Sequence, residues 1–126
     1  MFVLSDRRVF VADATAILPS AETPGAYIDY AFRLEFEAID EEESSSLATL
    51  TDEDLAQAAA TAPARADKRM LRRIILGWSD VVDRSGQQIP FAADVLEIAI
   101  AQPWFRAAAF AAYRAAMTGG EARRGN

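Results

Sequence analysis

Cysteine and histidine are both missing from this 126-residue chain, and lysine occurs once, at Lys68. The first absence removes disulfides, thiol nucleophiles and cysteine-based zinc sites together. The second removes the commonest general base and the commonest metal ligand. A Schiff-base lysine belongs in an apolar pocket, and Lys68 stands in a basic stretch instead. Glycine is scarce, with six residues placed in turns, one helix pattern and the tail, so no phosphate-binding loop and no G-x-S-x-G elbow can be written. No run approaches the roughly 20 apolar residues of a membrane span. The start, Met1-Phe2-Val3-Leu4, passes at once into Asp6, Arg7 and Arg8, too short an apolar run for a secretory leader. The expectation is a cytoplasmic, non-enzymatic protein without cofactor, metal or small-molecule substrate.

What is present suits a folded core. The hydrophobic fraction is 52% and the charged fraction 25%, the balance of a globular domain. A net charge of −6 sets phosphate backbones against the chain as a whole, so nucleic acid is an unfavoured partner.

The first third reads as strand. Arg8 to Leu18 is rich in Val, Phe, Ile and Ala and ends at Pro19. From Tyr27 the apolar positions alternate: Ile28, Tyr30, Phe32, Leu34 and Phe36 share one face, and Asp29, Arg33, Glu35 and Glu37 the other. The two stretches pair most simply as an antiparallel ribbon across the Pro19–Gly25 loop. Residues 38–50, with the run Asp40, Glu41, Glu42, Glu43 and then three serines, read as a solvated linker with room for a short helical turn. The acidic residues here and at 52–54 lack the alternating spacing of a calcium loop.

Helices follow. Thr51 or Ser46 can cap a helix running to about Ala62, with Pro63 stopping it. Met70, Leu71, Ile74, Ile75, Trp78, Val81 and Val82 recur at helical spacing and predict a core-facing stripe over 70–82, with Gly77 costing roughly 1 kcal/mol relative to alanine. Arg65, Lys68, Arg69, Arg72 and Arg73 take the other faces, a cationic patch that reads first as a solvated helix face partly neutralised by the acidic run earlier in the chain, and otherwise suits an acidic partner or a phosphate backbone. Asp83-Arg84-Ser85-Gly86 predicts a turn, with Gly86 free to take positive φ. Gln87 to Phe91 predicts an extended connector. A helix over about 93–101 places Val95, Leu96, Ile98, Ala99 and Ile100 in the core. Pro103 then opens a last helix to about Met117, carrying Trp104, Phe105, Phe110 and Tyr113 among alanines. The expected architecture is α+β. It has a β-ribbon over 1–37, a linker over 38–50 and about four helices over 51–118, all in one domain, with a flexible tail at 119–126.

The stretch Ile75-Leu76-Gly77-Trp78-Ser79-Asp80-Val81-Val82-Asp83-Arg84-Ser85-Gly86-Gln87-Gln88-Ile89-Pro90-Phe91 resembles the central signature of phage tail assembly chaperones. That family shows a glycine and tryptophan, a valine, an acidic residue and a turn glycine, then proline and phenylalanine. A helix of the Asp94-Val95-Leu96 type comes next, then a proline and a last aromatic-alanine helix, where Pro103, Ala112 and Tyr113 fall. The resemblance covers most of the chain, and its specific part is 75–113. Ala92 stands where the family usually has an N-capping serine, and the arginine-rich stretch 65–73 is also a departure.

The resemblance implies a non-catalytic protein of the host bacterial cytoplasm that binds the tape measure protein and helps gather tail tube subunits, with self-association as a further option. It makes Trp104, Phe105, Phe110, Tyr113, Arg69 and Arg72 the candidates for partner contact. Gly77, Trp78, Gly86, Pro90 and Phe91 become structural residues. Two other readings stand beside it. One is a structural tail or head–tail connector component of the virion. The other is a small DNA-binding regulator using the basic helix 65–73.

Overall fold

A computed structural model describes residues 1–4 and 7–119. The architecture is α+β, with a three-stranded antiparallel sheet covered on one face by helices. Strand β1 (Arg8–Pro19) pairs with β2 (Tyr27–Ala38) in an unbroken antiparallel register from Arg8 opposite Ala38 to Pro19 opposite Tyr27. The ribbon therefore forms where the period-2 pattern places it.

Helix α1 (Glu41–Ala48) occupies the stretch expected to be linker. The Asp40 carboxylate accepts the Glu43 N–H at 2.8 Å, so it caps this helix, and Glu41 to Glu43 line its first turn, where the helix dipole favours anions. The acidic run is a helix start. Helix α2 (Asp52–Gln57) begins at Thr51 with a full capping box. Thr51 Oγ1 accepts from Asp54 N at 3.0 Å, while Asp54 Oδ2 accepts from Thr51 N at 2.9 Å. After a 3-10 turn (Ala59–Thr61) comes helix α3 (Ala62–Ile74). Pro63 lies in the first turn of α3 and does not stop the preceding helix as expected; its missing N–H has no partner to lose there.

The largest departure from the sequence reading follows. The helical stripe predicted over 70–82 breaks at Ile74, and β3 (Ile75–Ser79) joins the free edge of β2. Leu34 faces Trp78, Glu35 faces Gly77 and Phe36 faces Ile75, with a register shift between Glu35 and Phe36. Pairing satisfies backbone groups that β2 would otherwise leave open, and this non-local gain outweighs the helical spacing. A Cβ at Gly77 would lie 3.8 Å from the Cβ of Glu35, an ordinary contact. Glycine acts here by weakening helix, not by permitting a close approach.

Beyond β3 the chain forms a small hairpin. Ile89 N–H donates to the Val81 carbonyl at 2.7 Å and Asp83 N–H to the Gln87 carbonyl at 2.9 Å. Gly86 sits in the turn at φ +85°, as expected, and the Asp83 carboxylate collects the Ser85 and Gln87 amides. Hydrogen bonds from Ser85 first, then from Gln87, hold that carboxyl below its ordinary range. Helices α4 (Ala93–Ile100) and α5 (Pro103–Met117) complete the chain. Ala92 ends the connector in extended backbone with no side-chain cap, yet α4 starts at Ala93.

One core runs from β1 to α5. Ala14 and Ala16 of β1 lie buried with Ala108, Ala109 and Ala112 of α5, so small residues on both sides let helix and sheet approach. Phe36, Leu34, Leu71, Ile74 and Ile100 are the largest fully buried side chains. Gly119 closes the described part of the tail expected at 119–126; the rest lies outside the described residues. No helix among the described residues is long and apolar enough to cross a membrane.

Candidate partner-binding groove

The sequence points to two places for partner contact, the basic run and the last helix, and the structure uses most of both internally. Arg69 donates to both carboxylate oxygens of Asp54, at 3.3 and 3.2 Å, and to the carbonyls of Leu47 and Thr49. Arg65 adds an ion pair to Asp54 at 3.7 Å. Arg73 reaches Glu43 at 2.6 Å and Glu37 at 2.8 Å, tying α3 to α1 and to the end of β2. Arg72 makes a two-pronged bond to Glu97 on α4, at 2.6 and 2.9 Å.

These contacts move the acids in the expected direction. Asp54 is 6% exposed, and the Thr51 amide, followed by Arg69, holds its carboxyl down at about 2 from an ordinary 3.8. The Arg73 guanidinium, and after it Arg7, lowers Glu37. Arg72 lowers Glu97. The cationic patch is a set of intramolecular clasps, and Arg69 and Arg72 serve as clasp residues in this conformation.

The aromatic candidates divide. Phe105 is buried, stacked on Phe32 with ring centroids 5.4 Å apart. Tyr113 is buried against Phe36 and Phe10, and its hydroxyl accepts the Ile39 N–H at 3.2 Å. Both are core residues; Phe105 also reaches the floor of the groove described below, and Tyr113 does not line it. Phe110 is half-buried, with the Arg114 guanidinium 5.7 Å from its ring centroid. Trp104 is 42% exposed and is the one large apolar side chain of the set that stands open.

A surface that the sequence reading missed lies beside Trp104. An open groove of about 510 Å³ runs between the start of β2, the end of β3, the hairpin and α4. Its floor is aromatic: Phe32, Trp78 and Phe105, with Trp78 edge-on to Phe105 at 6.2 Å and to Phe91 at 5.1 Å. The indole N–H of Trp78 donates to the Ile89 carbonyl at 2.8 Å, which fixes the ring and pins the hairpin over β3. Of Gly77, Trp78, Gly86, Pro90 and Phe91, only Trp78 lines the groove; Phe91 packs edge-on behind its ring, and Gly77, Gly86 and Pro90 lie in the strand, turn and connector that carry the wall. Tyr30, Val82 and Ile98, exposed at 52, 45 and 65%, line its mouth. Gln102, also in the lining, accepts the Trp104 indole N–H at 2.7 Å, so Trp104 sits at the groove's edge.

Ile98 corrects the expectation of a core position: Leu96 and Ile100 of α4 are buried and Ile98 turns outward. Tyr30 and Ile28 share the inward face of β2 with Phe32, but the helices do not reach them and they stay exposed. A signal was available in the alternation itself, which runs two apolar residues past the part of β2 that the helices cover.

Among the described residues, the only charged side chains lining the groove are Asp29 and Asp80. Asp80 adopts φ +62°, unusual for a residue other than glycine, where β3 hands over to the hairpin, and its N–H donates to Gln88 Oε1 at 3.1 Å. The lining offers apolar and aromatic surface with acids at the margin, a composition that suits binding of an apolar group or segment. Among the described residues no group of three or more acidic side chains is placed to hold a metal ion. No protein family, curated protein or solved structure matches this chain.

Proposed function

We propose that this protein is a non-enzymatic phage tail assembly chaperone of the bacterial cytoplasm, and that its groove holds an amphipathic segment of the tape measure protein. The reading rests on the resemblance in residues 75–113, and one observation supports it above the rest: an apolar groove left open in an otherwise well-packed small domain. Tyr30, Val82 and Ile98 expose apolar surface that a helix could cover with residues spaced i, i+3 and i+4. Chaperoning needs such surface, because a long helical client held in solution has its own apolar stripe to hide. The acids Asp29 and Asp80 favour a client with basic flanks. The DNA-binding reading loses its surface, since Arg65, Arg69, Arg72 and Arg73 are paired with acids of the same chain.

The test is co-expression with the tape measure protein of the same phage or prophage, followed by capture and a solubility assay. Capture with a raised soluble fraction of the client is expected, and Ile98→Asp together with Trp104→Ala should abolish it while the fold persists. If the client stays insoluble and nothing is captured, the chaperone reading fails. Finding the chain in purified virions would then place it among the structural tail or connector components.

A further inference from the structure

The sheet has an open edge that the groove does not use. Strand β1 is an edge strand of 12 residues, and no residue of it lines the groove. Natural edges of that length are blunted by lysines, prolines, bulges or a covering segment. β1 has no lysine, no proline before Pro19 and no bulge in its register with β2, and Asp13 is its only charge after Arg8. No strand among the described residues pairs with its outer side. Asp13 itself is engaged within the chain, accepting from Arg33 at 3.1 Å. The opposite edge, β3, is only five residues long and borders a register shift, so it is poorly suited to pairing.

The β1 sequence is also complementary to itself. Antiparallel pairing of two copies about a twofold axis at Ala14 puts Val11 opposite the partner's Ile17 and Val9 opposite the partner's Pro19 on the exposed face. On the inward face it puts Ala12 opposite the partner's Ala16 and Phe10 opposite the partner's Leu18. Asp13 then meets the partner's Thr15. Moving the axis to Asp13 sets two aspartates against each other, and moving it to Ala12 or Thr15 puts Asp13 against valine or isoleucine. Of these four registers, only the one centred on Ala14 sets Asp13 against a polar, uncharged residue and matches apolar with apolar at the remaining pairs from Val9 to Pro19. We propose that two copies of this chain pair through β1 in that register, joining two three-stranded sheets into one and leaving both grooves open.

The experiment is sedimentation and light scattering of the full chain, with variants that read the register. Wild type should approach twice the 13.7 kDa chain mass as concentration rises. Val11→Lys with Ile17→Lys sets lysine against lysine twice across the axis and should raise the dimer Kd by at least about tenfold. Val11→Lys with Ile17→Glu sets opposite charges across the axis and should restore pairing. Val11 and Ile17 are exposed in the single chain, so both variants should fold, which circular dichroism checks. Concentration-dependent amide-exchange protection of β1 gives a second readout if a variant does not fold. A wild-type chain that stays monomeric at its highest soluble concentration, or a dimer indifferent to both variants, overturns the proposal. None of these outcomes bears on client capture through the groove.

Discussion

Two sides of the molecule handle their side chains in opposite ways. On the side of α1, α2 and α3, charges are matched inside the chain: Arg65 and Arg69 on Asp54, Arg73 on Glu37 and Glu43. On the side of the hairpin and α4, apolar groups are left uncovered at Tyr30, Val82 and Ile98. A conspicuous charge run need not be a binding face, since its partners can lie 11 to 30 residues away in the same chain, as Asp54 and Glu43 do. An apolar residue that the core fails to cover is the stronger pointer to an interface.

The contrast can be broken at its common support. Phe36→Ala, at the fully buried centre of β2, should cost about 3–5 kcal/mol in urea unfolding and loosen both sides together. Thr51→Ala removes the hydroxyl half of the capping box on the clasped side. It should cost about 1 kcal/mol by the same measurement and leave client capture unchanged. The clasp also predicts a pH dependence. Asp54 titrates lower in the folded chain than in the unfolded one, so its stabilisation is complete above about pH 4 and is lost as pH falls toward 2. Melting temperatures across that window should decline for wild type and show a shallower slope for Asp54→Asn. The smallest effect belongs to the groove: Ile98→Asp should stay within roughly 0.5 kcal/mol of wild type in unfolding, because the side chain is already exposed, while weakening capture that the added Trp104→Ala then abolishes.

These sides were unequally legible in the sequence. β2 was readable because alternation is a local signal that burial on one face reinforces, and β1 because Val, Phe, Ile and Ala crowd the run that ends at Pro19. The Gly86 turn and the Pro103 start of α5 were readable because each depends on one residue's backbone preferences. β3 was not readable, since Ile74, Ile75 and Trp78 fit a helical stripe and only the vacant edge of β2 decides otherwise. Helix α1 was hidden because three glutamates and three serines resemble solvated chain, although Asp40 was a legible cap. The groove was illegible for a related reason. Ile98 and Ile100 are two residues apart and point to nearly opposite faces of α4, and apolar residues on both faces leave open which of them the core covers.

The placement of the two tryptophans has a practical consequence. The chain has two, Trp78 in the floor of the groove and Trp104 at its edge, and none elsewhere. Intrinsic fluorescence therefore reports almost entirely on this one region. A client that seats itself there would shield Trp104 from water and from quenchers, shifting its emission to shorter wavelength, while Trp104→Phe would leave Trp78 as a single internal dye. Occupancy of the groove can thus be followed optically, without a label, in the same cuvette that follows unfolding.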